Sequence, residues 1–249
     1  MDDALPRSRG DLAPLQMVVL HVLPGALQMS AFAVLTRPML AAGAPRSLPF
    51  LAAVVVAGLP CMLAVLLRAR RREESAGTTG RQLIGNRAPM ALWQYGALYI
   101  PLFALAYGLL LATAPVNRLL AEKVFFWLPD YLQPQWQPPV PPARALVLLG
   151  LVLQVVIDGV LAPVMEEVYF RGYLLPRMGY LSGWGPAVNA LLFAVQHFWQ
   201  PYNWVLIFLL SASLTYVVWW TRNIYIGMLL HGSANTIAAV LALVGFLAS

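Results

Sequence analysis

Apolar residues recur along this chain in blocks of roughly twenty, separated by shorter polar stretches. A block of that length is long enough to cross the hydrocarbon core of a bilayer as an α-helix. We predict seven spanning helices, at about 13–35, 48–67, 92–113, 145–166, 186–199, 203–221 and 224–247. The fourth is expected to continue as helix to about Met178. The predicted fold class is therefore all-α, a polytopic transmembrane helical bundle.

Two predicted connections are long, and they differ in character. Residues 68–89, between the second and third spans, are polar and basic. After the third span, Asn117–Leu132 is predicted to form an interfacial amphipathic helix, and the proline-rich residues 133–143 that follow favour an extended crossing. We divide the chain into an N-terminal three-span region, 1–142, and a four-span C-terminal core, 143–249.

Composition and charge support a membrane protein and give it an orientation. The chain is 60% hydrophobic and 10% charged, whereas soluble domains carry about a quarter charged residues. Because cytoplasmic loops are enriched in basic residues, the second loop is predicted to be cytoplasmic, and with seven spans the N-terminus is cytoplasmic too. The residues behind this orientation are Arg7, Arg9, Arg68, Arg70, Arg71, Arg72, Arg81, Arg87, Arg171, Arg177 and Arg222.

The same composition narrows the location and the partners. The first eleven residues lack the basic region of a secretory signal peptide, so the first span is expected to serve as an uncleaved insertion signal. Few lysines and many Ala, Leu, Arg and Pro are typical of GC-rich bacteria, which suggests a bacterial inner membrane. No basic stripe with interleaved aromatic residues indicates nucleic acid. The single cysteine, Cys61, excludes an intrachain disulfide and is interpreted as a packing residue.

Ionisable residues inside the predicted spans are candidates for function, because burying them in a membrane is costly. After Asp130 the acidic residues are Asp158, Glu166 and Glu167, and two histidines, His197 and His231, lie in the fifth and seventh spans. Taken together on three spans, they look like one shared site. The depths of Glu166 and His231 along their helices favour a polar cavity that opens to the cytoplasm.

Helical spacing pairs several of these residues. Glu167 and Arg171 are four apart on one face, which leaves Glu166, rotated by about 100°, free to point elsewhere. The same spacing relates His231 to Asn235 and Phe193 to His197.

Each of these residues also has a structural interpretation. A Glu–Arg pair can be a structural tie and an asparagine can join helices. Asp158 can bond a neighbouring helix, with a supporting role at the site as the alternative. His21, in the first span, is interpreted as a hydrogen-bonded packing residue.

These pairs resemble the three motifs of the CAAX protease and bacteriocin-processing (CPBP, or Abi) family of intramembrane proteases, to which the Ras-converting CAAX prenyl endopeptidase belongs. Glu-Glu-x-x-x-Arg matches Glu166, Glu167 and Arg171; Phe-x-x-x-His matches Phe193 and His197; and His-x-x-x-Asn matches His231 and Asn235. The resemblance covers roughly residues 145–247. Tyr169 stands where an aliphatic residue is commoner in the family.

The resemblance implies hydrolysis of a membrane-associated peptide near the cytoplasmic face. Glu166 would be the general base, with His197 holding the water, while His231 and Asn235 would stabilise the oxyanion. Glu167 and Arg171 would fix the helix geometry and the local charge. No cofactor is required by this reading, although Glu166, His197 and His231 could ligate zinc with water as the fourth ligand.

Two further classes of function remain open from the sequence. One is a non-catalytic scaffold or immunity protein of the same fold. The other is a proton-coupled transporter, although the sequence shows neither related halves nor matching interrupted helices. The substrate, and whether it is prenylated, are not determined by these motifs.

Overall fold

A computed structural model of the protein describes residues 11–77, 83–138 and 140–248. Regular structure among these residues is helical, apart from an isolated backbone bridge between Arg87 and Asn223. The helices are α1 (Pro14–Ala41), α2 (Ser47–Ser75), α3 (Leu92–Lys123), α4 (144–174), α5 (Gly185–Val195), α6 (Trp204–Thr221) and α7 (Ile224–Leu247). Short 3₁₀ segments lie at Asp130–Leu132, Leu175–Trp184 and Pro201–Asn203.

The all-α membrane bundle is confirmed. Within the described residues, 6 helical stretches are long and apolar enough to cross a bilayer. One of them, Arg144–Val195, contains the predicted fourth span and residues 186–195 of the predicted fifth, joined where Met178 and Ser182 depart from helical geometry. The exact number of spans stays a prediction, and so does the orientation, for which Arg7, Arg9 and Arg81 lie outside the described residues.

The separate interfacial helix predicted at Asn117–Leu132 is wrong. Its first seven residues are the end of α3, which continues to Lys123, and the rest is a turn-rich segment. Leu128 and Leu132 in that segment are buried in one cluster with Phe32. The amphipathic pattern alone predicts a helix lying on the membrane surface. Packing of these leucines against the bundle instead determines the structure of the segment.

The seven helices pack in the cyclic order α1, α2, α4, α7, α3, α6, α5 and back to α1. One end of this ring, here called the basic end, is formed by 76–77, 83–91, 175–184 and 222–223. The other, the proline-rich end, is formed by 42–46, 124–138, 140–143 and 196–203. Backbone hydrogen bonds close both ends, such as Ala143 N to Gly43 O at 3.3 Å and Ala88 N to Arg222 O at 2.7 Å.

Wider π-helical turns interrupt α2 and α4, and each is followed by a proline. Val54–Gly58 precedes Pro60, Ile157–Leu161 precedes Pro163, and Glu167–Leu174 precedes Pro176. Proline has no N–H and its ring collides with the carbonyl four residues earlier, so the helix must widen or kink. In α4 these two wide segments flank Glu166, and both leave carbonyl groups that need donors from elsewhere.

Candidate active site

A cavity of about 610 Å³ lies at the centre of the helical ring. Its walls on α2 and α3 are mostly apolar and include Leu59, Phe103 and Leu109. The other walls bring together residues that the sequence analysis singled out: Asp158, Glu166, Arg171, Phe193, His197, His231 and Asn235. One apolar chamber with a polar side is a suitable place for a peptide to be held and for a water molecule to be activated.

Glu167 lies behind this polar wall and connects two of its members. Its Oε1 is 3.1 Å from Arg171 Nη1 and 3.2 Å from His231 Nδ1. The pair with Arg171 is the one that the helical spacing predicts, and both side chains are buried. The contact with His231 joins α4 to α7, so Glu167 links the first and third motifs through a single oxygen.

Arg171 is held by α6 as well as by Glu167. Its Nη2 donates to Ser211 Oγ at 2.6 Å, its Nε donates to Thr215 Oγ1 at 3.2 Å, and its guanidinium carbon lies 4.2 Å from the centre of the Phe193 ring. A planar group with five donors suits this crowded arrangement. Sequence reasoning missed Ser211 and Thr215, although two hydroxyl residues four apart in an apolar helix are a signal of helix–helix bonding.

The ring of His231 bridges the two neighbouring glutamates. Because a carboxylate only accepts hydrogen bonds, the His231 Nδ1 that contacts Glu167 carries a proton. His231 Nε2 is then directed to Glu166, whose Oε2 lies 3.9 Å away. The Glu166 and His231 side chains are 16% and 20% exposed, so both can be reached from the cavity. The two acids therefore have different surroundings: Glu167 is buried and bonded, while Glu166 faces open space.

His197 lies two residues beyond the end of α5, which is shorter than the span predicted at 186–199. Its Nδ1 donates to Phe193 O at 2.7 Å, which leaves the other ring nitrogen as an acceptor. The ring also packs edge-on against Phe193 at 4.9 Å and beside Trp199 at 4.8 Å. These contacts fix the ring at the cavity wall although no helix continues through it.

Asn235 and Thr236 of α7 supply donors to the first wide turn of α4. Asn235 Nδ2 donates to Asp158 O at 3.1 Å, and Thr236 Oγ1 donates to Gly159 O at 3.0 Å. The Asp158 carbonyl needs an outside donor, because the N–H of Ala162 bonds Ile157 and the next residue is Pro163. An amide nitrogen has two hydrogens, so one of those on Asn235 remains for a ligand in the cavity.

His21 has the packing environment that the sequence analysis assigned to it. It is fully buried, its Nδ1 donates to Met17 O at 2.8 Å, and its Nε2 accepts from Asn189 Nδ2 at 2.9 Å. Asn189 also donates to Phe170 O at 3.0 Å, inside the second wide turn of α4. Asn189 is a further residue that sequence reasoning missed, a polar side chain in the middle of an apolar helix.

A zinc ion would need several donor side chains arranged around one point. In the described residues, no group of three or more His, Cys, Asp or Glu side chains is arranged so that it could hold a metal ion. Glu166, His197 and His231 do line one cavity, and Nδ1 of each histidine is engaged, by Phe193 O for His197 and by Glu167 for His231. Such contacts are usual for histidines that bind zinc, and the second nitrogen of each ring is the one that would bind the metal.

The cavity extends toward the proline-rich end. Its lining there includes Arg46, Tyr131 and Gln200, and Arg46 Nη1 donates to Tyr131 O at 3.1 Å and to Gln133 O at 3.0 Å. This end is opposite to the one that carries Arg70, Arg87 and the other basic residues used for orientation.

The groups that line the cavity define a class of protein. Carboxylates, imidazoles and an amide around a cavity inside a membrane bundle are the groups of an acid–base hydrolase. Residues 148–237 match the family model described as Type II CAAX prenyl endopeptidase Rce1-like. Through this segment the chain is similar to the CAAX protease and bacteriocin-processing family, which agrees with the resemblance of its three motifs. Comparisons with curated proteins and with solved structures give no match. The family implies a membrane peptidase that acts on a membrane-associated peptide.

Proposed function

We propose that this protein is an intramembrane endopeptidase that hydrolyses a peptide bond with a water molecule activated by Glu166. The observation that supports this proposal is the difference in environment between the two adjacent acids, Glu166 and Glu167. Arg171 and His231 engage Glu167, which is 0% exposed, while Glu166 faces the cavity that His197 also lines. A general base must be both accessible and close to the groups that position its water.

The proposed reaction needs four groups from this chain. Glu166 takes a proton from water while the water oxygen bonds to the peptide carbonyl carbon, and His197 accepts the second hydrogen bond of that water. Asn235 Nδ2 and His231 Nε2 donate to the oxyanion. Protonated Glu166 then gives its proton to the amide nitrogen as the carbon–nitrogen bond breaks, which releases an acid and an amine.

In this reaction His231 must carry protons on both nitrogens when the oxyanion forms. The ring is then positively charged, and Glu167 Oε1 at 3.2 Å is its counterion, since Glu166, 3.9 Å away, has by then taken the proton of water. Arg171 in turn balances Glu167. The proposal therefore gives Glu167 and Arg171 the role of holding His231, and gives Phe193 the role of packing under both His197 and Arg171.

The substrate proposed is a membrane-associated peptide or protein segment. The family description names a prenyl endopeptidase, and the apolar cavity wall on α2 and α3 is compatible with a lipid-modified peptide. A bacterial inner-membrane location, a cytoplasmic N-terminus and cleavage near the cytoplasmic face complete the proposal. Zinc-dependent hydrolysis by the same residues is the alternative mechanism.

The test compares membrane proteomes of cells that express the wild-type protein, Glu166→Gln or Glu122→Gln, and maps new C-termini. Glu122 is the matched control, because it forms an exposed pair with Arg118 far from the cavity lining. Loss of a general base typically costs about 10²–10⁴-fold in rate, so Glu166→Gln should abolish the new termini and Glu122→Gln should retain them. Equal termini from Glu166→Gln and wild type would indicate a non-catalytic scaffold.

A further inference from the structure

A short segment between α2 and α3 touches both helices that carry the site. We call Leu83–Ala88 the clamp segment. On α4, Gly85 N donates to Gly172 O at 2.8 Å and Asn86 Nδ2 donates to Arg171 O at 2.9 Å. On α7, Ile224 N donates to Asn86 O at 2.7 Å. One residue, Asn86, therefore bonds α4 through its side chain and α7 through its backbone.

Proline explains why α4 needs these donors. The Leu175 N–H bonds Phe170 O in the wide turn, and the next residue is Pro176, which has no N–H. The carbonyl of Arg171 therefore has no helical partner, and leaving a buried carbonyl unpaired destabilises the fold. The Asn86 amide takes the place of the missing donor, and Asn86 is itself buried.

The same solution appears at the other wide turn of α4. Pro163 leaves the Asp158 carbonyl without its helical N–H donor, and the side-chain amide of Asn235 donates in its place. Thr236 Oγ1 donates to the neighbouring Gly159 O. Pro176 leaves the Arg171 carbonyl without its helical N–H donor, and the side-chain amide of Asn86 donates in its place. Gly85 N donates to the neighbouring Gly172 O. Pro163, in α4, and Pro176, just after its end, are thus each matched by one asparagine and one neighbouring donor from another part of the chain.

The geometry points to Asn86 as a positioning residue for the catalytic groups. This inference rests on the proposed function. Asn86 holds the backbone of Arg171, whose side chain holds Glu167, which in turn holds His231. Through Ile224 it also fixes the start of α7, about 10 Å before His231 at 1.5 Å per residue. The clamp segment therefore sets the relative position of the two helices between which Glu166 and His231 face one another.

The backbone of Asn86 allows a clean substitution. Its φ is 53°, a left-handed conformation that glycine adopts without strain. Asn86→Gly therefore keeps the backbone bonds of residues 85–88 and removes only the bond to Arg171 O. Arg87→Ala is the matched control, because Arg87 is the exposed neighbour and its bond to Tyr225 is long, at 3.3 Å.

Two readouts test the inference in full-length protein purified in detergent. We expect Asn86→Gly to lower kcat at least tenfold with KM changed less than threefold, because misplacement of about 1 Å can cost 10²-fold in rate. The chain has 3 histidines, so NMR of protein labelled at histidine should show His231 ring signals shifted and His21 signals unchanged. Arg87→Ala should leave both readouts at wild-type values.

The outcomes separate this inference from the proposed function. Unchanged His231 signals in folded Asn86→Gly overturn the positioning role, whether or not the protein is a peptidase. Shifted signals in a protein without peptidase activity support the clamp and refute the proposed function. Should Asn86→Gly not fold, the double variant with Pro176→Ala, which restores an N–H at residue 176, should fold with near-native His231 signals. A double variant that also fails to fold overturns the inference.

Discussion

Gly227 of α7 is the position where one added methyl group should disturb the site most directly. A Cβ at this position would lie 2.6 Å from Glu167 Oε2 and 3.2 Å from Val218 Cγ2. Carbon and oxygen atoms in ordinary contact are at least about 3.4 Å apart, so the carboxylate would have to move by most of an ångström. It cannot move freely, because Glu167 Oε1 is tied to both Arg171 and His231.

Gly227→Ala is expected to lower kcat strongly while lowering the free energy of unfolding only slightly. Overpacking costs about 1–3 kcal/mol, while replacing a glycine with alanine inside a helix returns about 1 kcal/mol. The expected net destabilisation of Gly227→Ala is therefore about 0–2 kcal/mol. Displacing Glu167 also displaces His231, and a shift approaching 1 Å should lower kcat about 10–100-fold.

The assay uses a substrate identified by proteome comparison, with thermal unfolding of the purified variants measured in parallel. Gly245→Ala is the control on the same helix, because a Cβ there has no atom within 4 Å. It should leave kcat unchanged and slightly raise the unfolding temperature. The double variant Gly227→Ala with Glu167→Ala should be no worse than Glu167→Ala alone, since the clash has been removed. Full activity of Gly227→Ala, or additive losses in the double variant, would refute the reasoning.

Three further predictions follow from the same geometry. Arg171→Lys should lower the free energy of unfolding by about 1–3 kcal/mol, because an ammonium cannot reach Ser211, Thr215 and Glu167 together. Chemical unfolding in detergent measures this free energy, and an unchanged unfolding midpoint would contradict the prediction. A strong chelator should leave proteolysis within about twofold, and a loss restored by zinc would instead establish the metal-dependent mechanism. In a Cys61→Ser background, an impermeant maleimide applied to intact cells should label Trp127→Cys and not Glu74→Cys, and the reverse result would invert the orientation.

Local patterns in the sequence were sufficient for the helices and for contacts within one helix. The length of the apolar blocks predicted the spanning helices. The spacing of four residues predicted the Glu167–Arg171 pair, whose atoms Oε1 and Nη1 lie 3.1 Å apart. The second partner of Glu167 could not be predicted in this way, because His231 lies on another helix 64 residues later. Motif spacing indicates which residues share a face, but only packing decides which faces meet.

The wide turns of α4 show a different limit. Pro163 and Pro176 are visible in the sequence, yet proline in a helix can end it, kink it or widen it. The outcome depends on whether donors reach the carbonyls that proline leaves unpaired. Here Asn235 and Asn86 do so, and Asn86 belongs to the basic connection rather than to the region that carries the motifs. A reading confined to the motifs therefore could not identify it.

The length of α5 bears on how water and substrate reach Glu166. Its 11 residues span only about 16 Å, roughly half of a bilayer core, so α5 alone is too short to cross the core. The connection at 196–203 that follows carries His197, Trp199 and Gln200, which line the cavity. This polar path leads to the proline-rich end. A cytoplasmic second loop and a cavity open to the cytoplasm were both predicted from the sequence, and the side on which the cavity opens stays a prediction. An impermeant maleimide applied to intact cells tests this prediction at Gln200→Cys, with Glu74→Cys as the marker of the second loop. Labelling of Gln200→Cys without labelling of Glu74→Cys would contradict a cavity that opens to the cytoplasm.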